Sequence, residues 1–243
     1  MTGPAVTDSA ADPRVDIQTR LQAASAYNRW IVEEAKPYLG RRVLDAGCGA
    51  GNLTELLLDR ELVVAVDEWP EFVEIMSKRF EGAPNVVAHG GDLADPGLVG
   101  RLREYRIDSV ICSNMLEHVD DDRQALKNFA DLLPPGGRVF LLVPALPAIY
   151  GAMDAADHHF RRYTKRLMRA RVEGLPLEIE RSHYMNAPGV LSWFVYGRVL
   201  RKATVTEDMY SAYDRIIPWL SRLEGMVRPP VGQSLVSILR KPV

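Results

Sequence analysis

The chain has 243 residues, 30 Lys+Arg against 32 Asp+Glu, and a formal net charge of −2. That balance argues against a surface built to hold duplex nucleic acid, and the length is enough for one sizeable core. Two cysteines, Cys48 and Cys112, imply no disulfide framework and fit a reducing compartment as small buried residues. No basic segment followed by an apolar one opens the chain, and no uncharged run reaches the roughly 20 apolar residues of a membrane span. The expectation is a cytoplasmic, soluble protein with no nucleic acid or membrane partner.

In chain order, residues 1–13 are small, polar and Pro-containing, and read as a disordered tail ahead of a single domain over 14–243. A helical period over 15–39 puts Leu21, Ala24, Tyr27, Ile31 and Ala35 on one side, ended by Pro37 and Gly40. Val43 to Thr54 reads as a strand end, a turn with Gly47, Gly49 and Gly51, and the opening of a helix carrying Leu53, Leu56 and Leu57. Strands are predicted over 62–67, 85–88, 107–112 and 137–143, with helices over 70–81, 95–105 and 121–133 between them. Short Val, Ile and Leu runs alternating with amphipathic helices predict an α/β fold, a doubly wound, mostly parallel sheet. Right-handed crossovers put all strand C-termini on one edge, where ligands bind. Residues 177–186 and 234–240 read as two further strands. About fifty residues separate them, too many for a hairpin, and 187–230 reads as an inserted helical cap. Trp193, Phe194, Tyr196, Met209, Tyr210, Tyr213, Ile216, Ile217, Trp219, Leu220 and Leu223 are its apolar residues, and Pro218 is expected to break or restart its helix. The cap shapes a pocket over the active edge or provides a packing or dimer surface.

The glycine turn is Asp45-x-Gly47-x-Gly49-x-Gly51, not the dinucleotide pattern G-x-G-x-x-G, because Asn52 stands at the sixth position from Gly47. An acid just before the glycines suits a ligand with an ammonium group. Here the chain resembles the class I S-adenosylmethionine-dependent methyltransferases, over roughly residues 40–145. The resemblance implies a Rossmann-like seven-stranded sheet with an antiparallel last strand, and S-adenosylmethionine as cofactor. It implies a cofactor set of Asp45, Gly47, Gly49, Gly51, Asp67, Glu68, Asp92, Leu93 and Asn114. Asp67 would accept the ribose hydroxyls, Asp92 would read the adenine edge, and Asn114 would offer its carbonyl to the ammonium group. Trp69 is a candidate for the adenine face. Tyr27 and Trp30 either cover the cofactor or pack on the sheet edge.

The stretch Cys112-Ser113-Asn114-Met115-Leu116-Glu117-His118 is not the Asn/Asp-Pro-Pro-Tyr motif of base-methylating enzymes. Its Glu117-His118 is similar to a metal-assisted subgroup with Glu-x-x-Glu-His and a later His. Asn114 stands at the first Glu, and no His lies between His118 and His158, so no metal is expected. His118 is a candidate general base, or packs beside the cofactor. Beyond Pro144 the run Asp157-His158-His159-Phe160-Arg161-Arg162-Tyr163 lies past a strand C-terminus. As a substrate loop it would use Arg161 or Arg162 to grip a carboxylate or phosphate, His158 or His159 to take a proton, and Tyr163 beside them. Otherwise it starts a solvated basic helix. The expected activity is methyl transfer to a small organic molecule by a monomer or homodimer, with oxygen favoured as acceptor, nitrogen and carbon left open, and an anionic acceptor one option. The alternatives are a cofactor-binding fold acting as a cyclisation catalyst or scaffold, and a nicotinamide oxidoreductase.

Overall fold

Seven strands form one sheet in the order β3-β2-β1-β4-β5-β7-β6. The computed structural model describes residues 25–201 and 207–243, with side chains of the last cap helix described from Ser211. The expected tail over 1–13, the helix start over 15–24 and the side chains of Met209 and Tyr210 lie outside the described residues.

The strands are β1 (Arg42–Ala46), β2 (Leu62–Asp67), β3 (Val86–Gly90), β4 (Ser109–Ser113), β5 (Arg138–Pro144), β6 (Glu178–Met185) and β7 (Ser234–Arg240). The pairings β3-β2, β2-β1, β1-β4 and β4-β5 are parallel, while β7 runs antiparallel to both β5 and β6. Six strands thus share a direction and β7 opposes them. The helices are α1 (Ser25–Ala35), α2 (Pro70–Arg79), α3 (Gly97–Leu102), α4 (Asp122–Leu132), α5 (Ala152–Ala156), α6 (Lys165–Val172), α7 (Ala187–Trp193) and α8 (Glu207–Met226). Alternate strand residues feed opposite faces. Leu44, Val64, Val110 and Leu141 pack with Leu126 and Phe129 of α4. Val43, Val63, Ile111 and Phe140 pack with Trp30 and Ile31 of α1 and Ile217 of α8.

Two elements differ from the sequence expectation. The glycine turn opens only a 3-10 turn, Thr54–Leu57, rather than a helix. Leu62 already pairs with Arg42 five residues after Leu57, so the segment reaches its strand before a longer helix develops. Pro218 also sits inside α8 without interrupting it. It is exposed, so the carbonyl that loses its intrahelical partner can face solvent.

The strap after β5 departs most from expectation. It returns to its own strand, with Tyr163 N–H donating to Pro144 O at 2.7 Å and Leu146 N–H to Tyr163 O at 3.2 Å. Arg162 was expected at the substrate, yet its side chain is fully buried. It donates from Nε to Asp154 Oδ1 and from Nη1 to Ala145 O, both at 2.7 Å. Tyr163 is likewise buried, its hydroxyl donating to Asp122 Oδ2 at 2.9 Å and facing Leu116 O at 3.2 Å. Arg161 donates to Val119 O at 2.7 Å and Asp120 O at 2.9 Å and pairs with Asp122 at 3.0 Å. All three side chains are thus taken up inside the fold. A guanidinium can satisfy several carbonyls and a carboxylate at once, which suits it to pinning a loop as well as to gripping a ligand.

Asp154 also accepts from Gly151 N–H at 2.9 Å and Trp193 Nε1–H at 3.0 Å, so the cap helix α7 is tied to the strap. Burial would raise the Asp154 carboxyl, but the donors and the Arg162 charge hold it at about 2. Replacing Arg162 by Met leaves buried Asp154 without one of its two cations, Arg162 and His159, with an expected loss of about 3 kcal/mol. Arg166→Met, at an exposed position, should change stability by less than about 0.5 kcal/mol. Equal denaturant midpoints for the two variants would contradict the anchoring role.

Candidate functional site

A cleft of about 480 Å³ opens at the C-terminal ends of β1, β2 and β4. Its walls are Tyr27, Asn28 and Ile31 of α1, the glycine turn, the residues after β2 and β4, and Asp157, His158 and Phe160 of the strap. None of the described cap residues of α7 and α8 lines it. The cap meets the elements around the cleft through α1, where Asp214 accepts from Ala26 and Tyr27 N–H, each at 3.0 Å, and through the strap, by the Trp193–Asp154 bond. Tyr27 lines the cleft, whereas Trp30 is buried in the core beneath.

The floor is backbone. Gly47 has φ +76°, and a Cβ there would lie 2.2 Å from Met115 Cγ, so both conformation and space require glycine. Gly49 N–H donates to Asp67 Oδ2 at 2.9 Å and Trp69 N–H to Asp67 Oδ1 at 3.1 Å. Two amides thus fix the Asp67 carboxylate at the cleft wall, and each oxygen keeps a lone pair for a ligand hydroxyl. Burial raises its pKa, while the amides oppose the shift. Asp45 lines the cleft too. Thr54 Oγ1–H donates to its Oδ2 at 2.6 Å, and burial pushes its carboxyl up to about 6. Glu68 and Trp69 complete the wall after β2.

Asn114 stands at the mouth of β4 with φ +50°, a left-handed conformation that asparagine tolerates better than most residues. Its N–H donates to Leu142 O at 2.8 Å, and it lines the cleft with Ser113 and His118.

Four expected cofactor residues do not line the cleft. Gly49 acts through Asp67. Gly51, at φ +85°, lets Met76 and Phe80 pack, for a Cβ there would lie 2.3 Å from Met76 Sδ. Asp92 is exposed and spends Oδ1 on Ala94 N–H at 2.8 Å. The Leu93 side chain is buried in the core, and its carbonyl accepts from Asn128 at 2.8 Å.

Among the histidines, His118 and His158 line the cleft. His159 was expected to take a proton but is buried behind them. It donates from Nδ1 to Asp154 Oδ1 at 3.0 Å and from Nε2 to Asp157 Oδ2 at 3.1 Å. Burial alone would lower its pKa, but the two carboxylates raise it to about 9. A ring with both nitrogens bonded as an imidazolium is a fixed cation, not a base. Its ring meets that of His118 edge-on, with centroids 4.7 Å apart.

Glu117, Asp154 and Asp157 were not named as site residues. Glu117 is 1% exposed, its Oε2 has no hydrogen-bond partner, and burial pushes its carboxyl up to about 7. Ligand atoms of Glu117, His118 and His159 lie within 4.8 Å of one another. The expected absence of a metal therefore does not follow from the structure, because the strap returns His159 to Glu117 and His118 across about forty residues. The Glu117-His118 pair was the legible signal, while nothing in the spacing showed that the strap folds back.

The profile of a family described as "Methyltransferase domain" matches residues 44–141. The chain is 32% identical over 139 residues to a ubiquinone biosynthesis O-methyltransferase of Xanthomonas oryzae pv. oryzae, covering 52% of this chain and 57% of that protein. The protein of the same name from Coxiella burnetii is 31% identical over 111 residues, covering 45% of this chain and 46% of its own length. The chain thus spans about half the length of the curated relatives it matches. A SAM-dependent methyltransferase from Archaeoglobus fulgidus has the same fold, with a TM-score of 0.57 at 20% identity over 86% of this chain and 91% of that one. Over residues 44–141 the chain matches the methyltransferase domain family, its sheet has the fold of the S-adenosylmethionine-dependent methyltransferases, and that family implies S-adenosylmethionine as methyl donor.

Proposed function

We propose that the chain methylates an oxygen of a small organic acceptor, bound between His118 and the strap residues His158 and Phe160. The observation that carries this is the cleft itself. It places Asp67, fixed by two amides, on one wall and an imidazole, His118, on the wall after β4. The relatives' names, which specify O-methyltransferases, support oxygen as the acceptor.

The residues fit the cofactor. The Gly47 floor leaves room a side chain would fill, Asp67 has acceptor capacity for ribose hydroxyls, and Asn114 and Asp45, which line the same cleft, offer oxygen acceptors that suit an ammonium group. When bound, S-adenosylmethionine supplies a methyl already activated on a sulfonium, so this chain's task is alignment and exclusion of water. Phe160, Tyr27 and Ile31 give the cleft apolar wall. His118 takes the proton that an acceptor hydroxyl must lose. Among the described residues no Lys or Arg lines the cleft, so Arg161 and Arg162 give no support to an anionic acceptor.

A second reading is favoured by the orphaned Glu117 oxygen. A divalent cation would be held by Glu117, His118 and His159, and would supply Lewis acidity at the acceptor oxygen. The donor set fits, provided that His159 gives up its bond to Asp154 or Asp157. Added Mn²⁺ or Zn²⁺ should then raise the melting temperature of the wild type and not of Glu117→Gln, whereas no shift in either sinks this reading.

Asp67→Ala should weaken S-adenosylhomocysteine binding about ten-fold or more by calorimetry, for the loss of hydrogen bonds to a charged acceptor. Asp92→Ala should change it little, and unaltered affinity in Asp67→Ala would remove that carboxylate from the cofactor site. His118→Ala should lower kcat about 10²-fold or more while leaving S-adenosylhomocysteine affinity intact, and a variant with normal kcat excludes His118 as base. His159 gives a pH signature. Its folded pKa of about 9 lies above the ordinary value of 6.5, so its stabilisation is complete below about pH 6.5 and disappears as pH rises through 9. His159→Gln should melt several degrees lower at neutral pH and lose less stability than wild type on the alkaline side. Parallel profiles would show that His159 is not a fixed cation.

A further inference from the structure

The cap carries an outer face that the fold leaves uncovered. Thirteen large hydrophobic residues are exposed among those described, and ten of them lie between Leu191 and Val231. On α8 and the residue that follows it these are Ile216, Trp219, Leu223, Met226 and Val227, with Trp219 at 75% and Met226 at 77% exposure. At a helical period they fall within an arc of about 100°. Folding does not account for that stripe, because a separate face of the same helix, with Tyr213, Ile217 and Leu220, already packs on the core.

The charges are sorted in the same sense. Residues 211–228 contain two acids, Asp214 and Glu224, and both turn inward. Asp214 caps the start of α1, and Glu224 accepts from Asn186 N–H at 2.8 Å and Ala187 N–H at 2.9 Å. Arg215 and Arg222 are exposed and flank the stripe at helical spacing. The Arg222 guanidinium lies 5.9 Å from the Trp219 ring centroid. Over 211–228 the outer face therefore presents apolar and cationic groups without a carboxylate, on a chain whose net charge is −2.

We propose that this face of α8 docks the enzyme on an anionic lipid bilayer. Trp219, Leu223 and Met226 would enter the boundary between headgroups and acyl chains, and Arg215 and Arg222 would meet lipid phosphates. The mode is peripheral, since no described helix is long and apolar enough to cross a membrane. A second copy of the chain is a poorer occupant. A two-fold interface would set this face against itself, bringing Arg215 and Arg222 together with no outward acid among residues 211–228 to answer them. The proposal replaces the expectation of no membrane partner and is independent of which acceptor is methylated.

The test is co-sedimentation of the full chain with sucrose-loaded vesicles of phosphatidylcholine, with or without phosphatidylglycerol. The wild type should pellet with the anionic vesicles at low salt and much less with pure phosphatidylcholine. Arg215→Gln with Arg222→Gln should lower partitioning about thirty-fold, taking roughly 1 kcal/mol per arginine. Trp219→Glu should abolish it, and unchanged melting temperatures would show that both variants fold. Brominated lipids should quench the fluorescence of the wild type more than that of Trp219→Phe, a readout that needs no destabilising change. Wild type that stays in the supernatant overturns the proposal, as does equal partitioning of the variants. So does a dimer in light scattering that Trp219→Glu dissociates, which would assign the face to a second copy.

Discussion

The buried Asp154 carboxylate is the tie on which the acceptor side of the cleft depends. It takes hydrogen bonds from Arg162, His159, Trp193 and the Gly151 amide. In one position it joins the strap after β5, the imidazole behind His118 and the first cap helix. A buried charge without such partners would be costly. Here each donor is held in place by the fold, so the strap has one position, and His158 and Phe160 are presented to the cleft as a consequence.

The donor side depends on a different constraint. A parallel sheet ends all its strands on one edge, and the turn after β1 meets the end of β2 there. Gly47 and Cys48 N–H groups both donate to Val66 O, at 2.8 and 3.1 Å, and Gly49 N–H holds Asp67. Backbone thus sets both the floor of the cleft and the carboxylate beside it. That is why this part of the site was readable from a short motif: every member lies within a few residues of a strand end, and the strand ends are brought together by the sheet itself.

The acceptor side was not readable in that way. Arg161, Arg162 and Tyr163 have the chemistry of a substrate grip, and residue type alone does not separate gripping a ligand from pinning a loop. The distinction is set by Asp122 and Asp154, whose spacing from the arginines carries no signature. The same holds for His159. Its neighbours Asp154 and Asp157 make it a fixed cation, and its approach to Glu117 and His118 needs the strap to fold back across the edge of the sheet. In the cap, helical periodicity was legible on α8, but one period served two apolar faces, and only burial tells which of them the fold uses.

The sequence by itself determined the α/β alternation, the strand positions, the glycine turn and the carboxylate at Asp67, because these follow from local periodicity and from backbone conformations that only certain residues adopt. Tertiary structure alone decided that Arg162 and Tyr163 are anchors, that His159 is a cation backed by two carboxylates, that Glu117 is left with an unpaired oxygen beside two imidazoles, and that α8 keeps a second apolar face outward. Each of those depends on a contact across tens of residues, and the protonation and exposure of a side chain are properties of its surroundings rather than of its position in the chain.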